Sequence, residues 1–550
     1  MHFPKDDVLT PERTFRPQPK TLHNLAIFSL LFGATLALHA WLLPLPYFWD
    51  EAGYYVPAAH DIFTSGSLIP HSTVSNAHPP LVMSWVALWW KVFGEHPPVS
   101  RGAMLAVAAF ALLGLYRLSE RANNSEVAVG TVLLTMLYPV FFAQSSLVHL
   151  DLAAAGFTLW ALRAYLDDRR VAMFAWFALA GLTKETAILA PAALALWEIA
   201  GPVLLKKHTG LLLFPQRSLA RFVALAASAM PLAIWFAYHY SKTGFIFGNP
   251  EFFRYNVQAT VNPLRILLAL GTRLWQTFVY MGLWAVTILT VFAMTLPARL
   301  NSTGENRPRI AIPIQVTFAV VILAYVLALS FIGGAVLSRY MLPVVPLVIL
   351  MGVSTFWRRL DSWKLVTAGL AALFIAGWFW NPLYSFPFED NLAYRDYVQL
   401  HQAGALYLQS HFPNATVLTA WTASDELNRP WLGYVARPMK IERIENFSEE
   451  QIEALAAANA TRNSLTPYNV VLAFSTKYEP EFDITDHRPW SEFKTRFFGY
   501  HLDLPPERIA QILGGRIVMQ EHRRGQWIAV IALEQTADAA LRLPRTHIQR

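Results

Sequence analysis

The sequence predicts an α-helical polytopic membrane protein of about eleven spans, followed by a small soluble α/β domain. Three observations carry that expectation. Of 550 residues, 55% are apolar and only 15% charged, whereas about a quarter of a soluble globular chain is charged. Apolar runs of about 20 residues, enough to cross about 30 Å of hydrocarbon, recur up to residue 380 and then stop. Beyond residue 394 the pattern becomes that of short buried strands between amphipathic helices.

The elements follow in order. Residues 1–22 form a short cytoplasmic N-terminus carrying Lys5, Arg13, Arg16 and Lys20. The apolar run 25–43 has no small-x-small cleavage site after it and reads as an uncleaved first span. Further spans are expected at 99–118, 127–145, 152–166, 171–182, 186–205, 222–238, 274–296, 310–331, 341–356 and 365–380. Residues 23–382 thus make a membrane domain with a first outer loop at 46–98, and residues 383–550 the soluble domain.

The 13 residues 81–93 are too short to cross at about 1.5 Å per residue. Charge decides their status. With this run in the interface, every second connection faces the cytoplasm. Those connections are the basic ones: Arg117 and Arg121, Arg169 and Arg170, Lys206 to Arg221, Arg299 to Arg309, and Arg358 to Lys364. Trp85, Trp89 and Trp90 suit the headgroup level. The same parity places loop 46–98, the turn with His149 and Asp151, the turn 181–185 and the domain after Asn381 together on the outer side.

The formal charge of +7 is spread over these short connections rather than along one basic face, so nucleic acid is not the expected partner and a lipid bilayer is. With no cysteine there is no disulfide, thiolate zinc site or cysteine nucleophile. No Gly-rich phosphate loop and no Ser/His/Asp elbow is present, which argues against a nucleotide-driven pump or a hydrolase.

Candidate chemistry lies on the outer side. Asp50 and Glu51 stand just beyond the first span, flanked by Trp49, Tyr54 and Tyr55, where partial desolvation raises a carboxylate's basicity and rings can stack on a sugar. Asp151 opens a span from the outer side; alone it reads as a carboxylate favoured by the helix dipole, and opposite Asp50 as a second acid orienting a hydroxyl. His78, before Pro79 and Pro80, begins the interfacial helix and is placed to touch a phosphate or a metal. Lys184 and Arg339 sit at outer turns where a cation is costly unless it snorkels or meets an anion such as a lipid-linked phosphate.

At these residues the sequence resembles the dolichyl-phosphate-mannose protein mannosyltransferase-like group and the aminoarabinose transferases of lipid A, both of GT-C fold. The resemblance covers roughly the first 380 residues. It rests on Asp50-Glu51, His78-Pro79-Pro80-Leu81, Asp151, Gly181-Leu182-Thr183-Lys184, and Arg339-Tyr340 followed by Leu342-Pro343. It implies a polyprenyl-phosphate-linked sugar donor, an acceptor on the outer face, and Asp50 as base with Glu51 or Asp151 assisting. Lys184, Arg339 and Tyr340, with His78, Tyr54 and Tyr55, are implied to line the substrate site. His78 stands where many relatives have lysine, which leaves a divalent metal open and no cofactor certain. The implied place is a bacterial inner membrane, with the C-terminal domain outside the cytoplasm.

In that domain a helix is expected at 394–410, strands at 415–421 and 469–474, and a hairpin of 516–520 with 527–533 about Gly525. Ser448 to Gln451 has capping-box spacing before 452–458, and Pro505 and Gly514 bracket another helix. The rival class is a transporter or a non-catalytic protein of the same fold. Transporters place such acids near the midplane within repeats, whereas these acids stand at span ends.

Overall fold

The computed structural model describes residues 20–246, 248, 262–332, 334–461, 467–478, 488–498 and 501–533. Lys5, Arg13 and Arg16 lie outside them. Every expected span is helical. Among the described residues, six helical segments have both the length and the apolarity to cross a bilayer: Thr21–Leu42, Pro97–Ala122, Glu185–Leu204, Leu219–Thr243, Pro263–Met294 and Ile312–Phe331. The pair Ser125–Leu137 and Pro139–Ser146 makes a seventh when counted as one span; it is bent by 69° where Pro139 lacks a helical donor and crowds the preceding turn. The remaining expected spans form the shorter helices Asp151–Leu166, Arg170–Thr183, Val345–Arg359 and Trp363–Phe379, so the count of about eleven is matched in part by full-length crossings.

One boundary moves. The span expected to begin at Leu274 begins at Pro263, where the Asn262 side chain accepts from the backbone N–H groups of Leu264 and Arg265 at 3.0 and 3.2 Å. That shift brings two arginines, Arg265 and Arg273, into a segment whose apolar run they interrupt.

The connections gather at the two ends of the bundle. At one end Arg121 meets Asp167 at 2.9 Å, Arg170 meets Asp168 at 3.0 Å and Arg299 meets Asp361 at 3.2 Å. At the other, the Tyr434 hydroxyl of the C-terminal domain donates to the Tyr47 carbonyl at 2.9 Å, and Trp421 packs edge-on to Trp49 with centroids 5.3 Å apart. The short helix Leu81–Phe93 does not cross: His78 before it meets Glu185 at 2.8 Å, and Glu95 after it meets His60 at 2.7 Å, all at that second end.

The C-terminal domain is one five-stranded sheet in the order β2-β1-β3-β5-β4. Its strands are β1 (Thr416–Ala420), β2 (Lys440–Ile444), β3 (Val470–Phe474), β4 (Gly515–Arg523) and β5 (Gln526–Leu533). β1 runs parallel to β2 and β3, while β5 is antiparallel to β3 and β4. β3 and β5 are buried along their whole length, as their unbroken apolar runs require, and helix Ala393–His411 packs on β5. β2 reads Lys-Ile-Glu-Arg-Ile and was missed because a charged edge strand lacks a buried-strand pattern. The C-terminal end of β1 delivers Trp421 onto the first outer loop, where a side chain at Gly53 would run into the indole.

Candidate active site

The site begins with a turn. Trp49 takes a left-handed backbone with φ of 41°, and residues Glu51–Tyr55 form a π-helical turn that leads into helix Val56–Ser65. Left-handed non-glycine residues and π turns are uncommon and recur at functional sites. Here the consequence is that two consecutive acids point different ways. Glu51 is fully buried: it takes Arg101 at 2.7 and 3.1 Å and the backbone N–H groups of Phe48 and Val148 at 2.8 and 2.6 Å. Expected as an assisting acid, it is instead enclosed in a structural pair that ties the first loop to two helices. Asp50 keeps about 20% of its side chain exposed and turns to Arg339, Oδ2 to Nη2 2.6 Å.

Arg339 lies in the 3-10 turn Ser338–Met341 and is the hub. Its guanidinium also reaches Glu389 at 2.6 Å, Asp151 at 3.3 Å and the His149 Nδ1 at 3.0 Å. Asp151, at the start of helix Asp151–Leu166, receives Lys184 at 2.5 Å, so the two outer turns are bolted together. Tyr340 supplies a shared face: Lys184 Nζ stands 3.9 Å from its centroid, the Arg273 guanidinium 5.4 Å and that of Arg339 5.8 Å.

The remaining expected residues are placed around this hub. Tyr55 is buried with its ring 5.8 Å from His149 and 5.9 Å from His78, while His78 itself pairs with Glu185 at 2.8 Å. Tyr54 faces the C-terminal domain, 5.5 Å from Trp421. The aromatic wall beside Asp50 is therefore built jointly by the first loop and β1.

Three contributors were not singled out from sequence. Glu389 and Asp390 follow the last span in Phe-Glu-Asp, the same acid-pair-after-a-span signal as Asp50-Glu51. Asp390 accepts the Tyr280 hydroxyl at 2.6 Å and also the Ser338 hydroxyl, fixing the turn that carries Arg339. Burial pushes Asp390 up to about 6 against those hydrogen bonds, and pushes Glu389 up to about 8, with Asp50 and Asp151 adding to the rise against Arg339. Burial and the neighbouring Arg339 hold His149 well below the usual imidazole range, so it is neutral. Arg273, the third, is fully buried; it donates to Gln276 at 2.9 Å and the Leu337 carbonyl at 2.7 Å. Among the described residues it has no carboxylate partner, and its Nη2 makes no hydrogen bond.

Asp50, His149 and Glu389 present ligand atoms within 4.8 Å of one another, the spacing a divalent ion needs. The Arg339 guanidinium reaches all three of these residues in this structure.

Residues 77–235, which carry His78, Asp151 and Lys184, match the family described as dolichyl-phosphate-mannose-protein mannosyltransferase. The fold matches that of ArnT from Cupriavidus metallidurans bound to undecaprenyl phosphate, with a TM-score of 0.50 at 13% identity over 93% of this chain and 98% of that one. The apo state of the same protein gives 0.48 at 14% identity over 93% and 97%. The Archaeoglobus fulgidus oligosaccharyltransferase gives 0.42 at 12% identity over 82% and 67%. No curated protein sequence matches the chain.

Proposed function

We propose that the chain is a GT-C-type transferase that moves a sugar from a polyprenyl phosphate to an acceptor on the non-cytoplasmic face, a reading supported by the resemblance in sequence, the family match over residues 77–235 and the shared fold. The undecaprenyl phosphate bound by the ArnT relative supports the donor class. The observation that carries the reading is the meeting of Lys184, Arg273 and Arg339 over Tyr340 beside the solvent-reached Asp50. Lys184 and Arg339 already have carboxylates; Arg273 has none among the described residues, and a buried charge without a counter-ion is expensive until an anion arrives.

In the proposed step the acceptor oxygen attacks the anomeric carbon while the bond to the phosphate oxygen breaks, its electron pair staying on the phosphate. Asp50 takes the acceptor's proton, Arg339 orients Asp50, and Arg273 with Lys184 stabilises the charge gathering on the leaving phosphate. A single displacement of this kind inverts the anomeric centre. Asp151 acts through Lys184, which it holds in place; His78 and Tyr55 form the wall next to His149, and Tyr54 with Trp421 offers faces for a sugar.

Purified full-length protein incubated with a panel of radiolabelled polyprenyl-phosphate sugars should transfer label from at least one. Transfer from nucleotide sugars instead would overturn the reading. The proposed location is a bacterial inner membrane with the C-terminal domain outside the cytoplasm. Reporter fusions after Arg170 and after Asn381 should then give opposite sidedness.

A further inference from the structure

Helix Arg488–Phe498 of the C-terminal domain is amphipathic and buries none of its residues in the fold. Its side chains at positions 489, 492, 493, 496 and 497, one helical face by spacing, look across a groove of about 550 Å³ at Asn262 and Leu264, the outer end of the Pro263–Met294 crossing. Trp490, Phe493 and Phe497 run along the helix, Trp490 stacked on Phe493 with centroids 5.3 Å apart and Phe493 tilted against Phe497 at 4.8 Å. Arg496 has no carboxylate partner among the described residues, its guanidinium lying 5.2 Å from the Phe497 centroid. Leu264 and Leu267 on the facing crossing are about half and two-thirds exposed, as lipid-facing positions are.

This groove lies beside the candidate site. Arg265 donates to the Phe497 carbonyl at 3.1 Å and to the Gly334 carbonyl at 2.9 Å, pinning the C-terminal end of the aromatic helix to the crossing. Arg273 follows two turns later on the same buried face, about 12 Å deeper at 1.5 Å per residue, and meets Tyr340. Arg265, Ala269 and Arg273 thus lie on one buried helix face that leads from the groove towards the candidate phosphate pocket.

We infer that the groove between helix Arg488–Phe498 and the outer end of helix Pro263–Phe278 is the entry berth for the lipid carrier, with Arg496 meeting its phosphate and Leu264, Phe493 and Phe497 its first isoprene units. This rests on the transferase reading and adds a second station to it. A phosphate on a flexible apolar tail matches the berth: Arg496 offers a charge-assisted contact, Glu492 on the same lining is held by Arg488 at 2.9 Å, and Leu264, Phe493 and Phe497 offer apolar surface.

The test does not depend on turnover. Because the chain has no cysteine, Leu264→Cys in the full-length protein carries a single environment-sensitive fluorophore. In phosphatidylcholine nanodiscs, undecaprenyl phosphate should shift its emission saturably to shorter wavelength. Arg496→Gln, or Phe493→Ala with Phe497→Ala, should raise the apparent Kd at least fivefold, while Arg273→Gln should leave this first berth intact. Phosphatidylglycerol at the same mole fraction should give no saturable shift. An equal response to phosphatidylglycerol would make the groove a general anionic-lipid surface, and no response to either lipid would leave it without a ligand; each result overturns the proposal. Failure of the transferase reading shows elsewhere, as absence of transfer by the unmodified protein from any carrier-linked sugar while this binding signal persists.

Discussion

Two buried charge networks stand at opposite ends of the helix bundle, and they differ in how well their charges match. At the end away from the C-terminal domain, Arg221 donates to Glu198 at 2.9 Å and to Asp168 at 3.2 Å and rests on Phe214, while Glu198 also accepts the Tyr165 hydroxyl at 2.7 Å. Arg170 also meets Asp168 at 3.0 Å, so two cations meet two acids, and three helices are held together. At the end facing that domain, Arg339 is shared by Asp50, Asp151 and Glu389, whereas Arg273 forms no ion pair with a carboxylate among the described residues. A locally matched network is a clamp. A network with surplus acid on one cation and none on the next has room for a charged ligand, and that mismatch distinguishes the candidate site from the other buried ion pairs.

The largest effect that sharpens this contrast is expected at Asp50. Asp50→Asn keeps the shape and the contact with Arg339 but loses the base, so turnover should fall by about 10²–10⁴ while carrier affinity and thermal stability stay near parental. Near-parental transfer would remove the base assignment and shift it to another carboxylate of the hub. The adjacent acid should behave in the opposite way. Glu51→Gln leaves Arg101 buried without its counter-ion, a loss of about 3–5 kcal/mol for a broken buried pair, read as a lower unfolding midpoint and poor yield in detergent. Should Glu51→Gln fold normally and lose only turnover, Glu51 would belong to the chemistry and not to the scaffold.

These two neighbours also mark how far the sequence could be read. The order of the helical segments, the short helix Leu81–Phe93 and the hairpin about Gly525 follow from apolar length and turn chemistry, and these helices and strands lie where those rules place them. The different fates of Asp50 and Glu51 do not follow, because the left-handed Trp49 and the π turn that separate them are set by tertiary packing against Arg101 and Trp421. Arg273 was overlooked for a related reason. An apolar-run criterion trims a span at its first cation, so a functional charge inside a crossing is read as a boundary.

A third variant pair tests whether the mismatch itself matters. Arg273→Gln should weaken polyprenyl-phosphate binding at the inner pocket beside Tyr340, though not at the outer groove, about tenfold to a hundredfold, the worth of a charge-assisted hydrogen bond of about 1.5–3 kcal/mol. Arg221→Gln, in the matched network, should lower the unfolding midpoint and leave carrier affinity unchanged. If the two variants have the same binding profile, the distinction between clamp and site fails.

The smallest effect concerns the proton that the surplus acid implies. Three carboxylates around Arg339 cannot all be ionised cheaply, and burial with its acidic neighbours raises Glu389 from an ordinary 4.5 to about 8. The sign follows from linkage: a carboxyl whose pKa is raised by folding binds more protons in the folded state than in the unfolded. Its contribution to stability is complete below about 4.5 and is lost as the pH rises to and through about 8. Glu389→Gln, which keeps a neutral hydrogen-bonding group in place, should therefore flatten the fall of the unfolding midpoint across that window, and Arg221→Gln at the matched end should not. Parallel pH curves for the parent and Glu389→Gln would mean that Glu389 is ionised beside Arg339 throughout, and the outer network would then carry one more negative charge for an incoming phosphate to overcome.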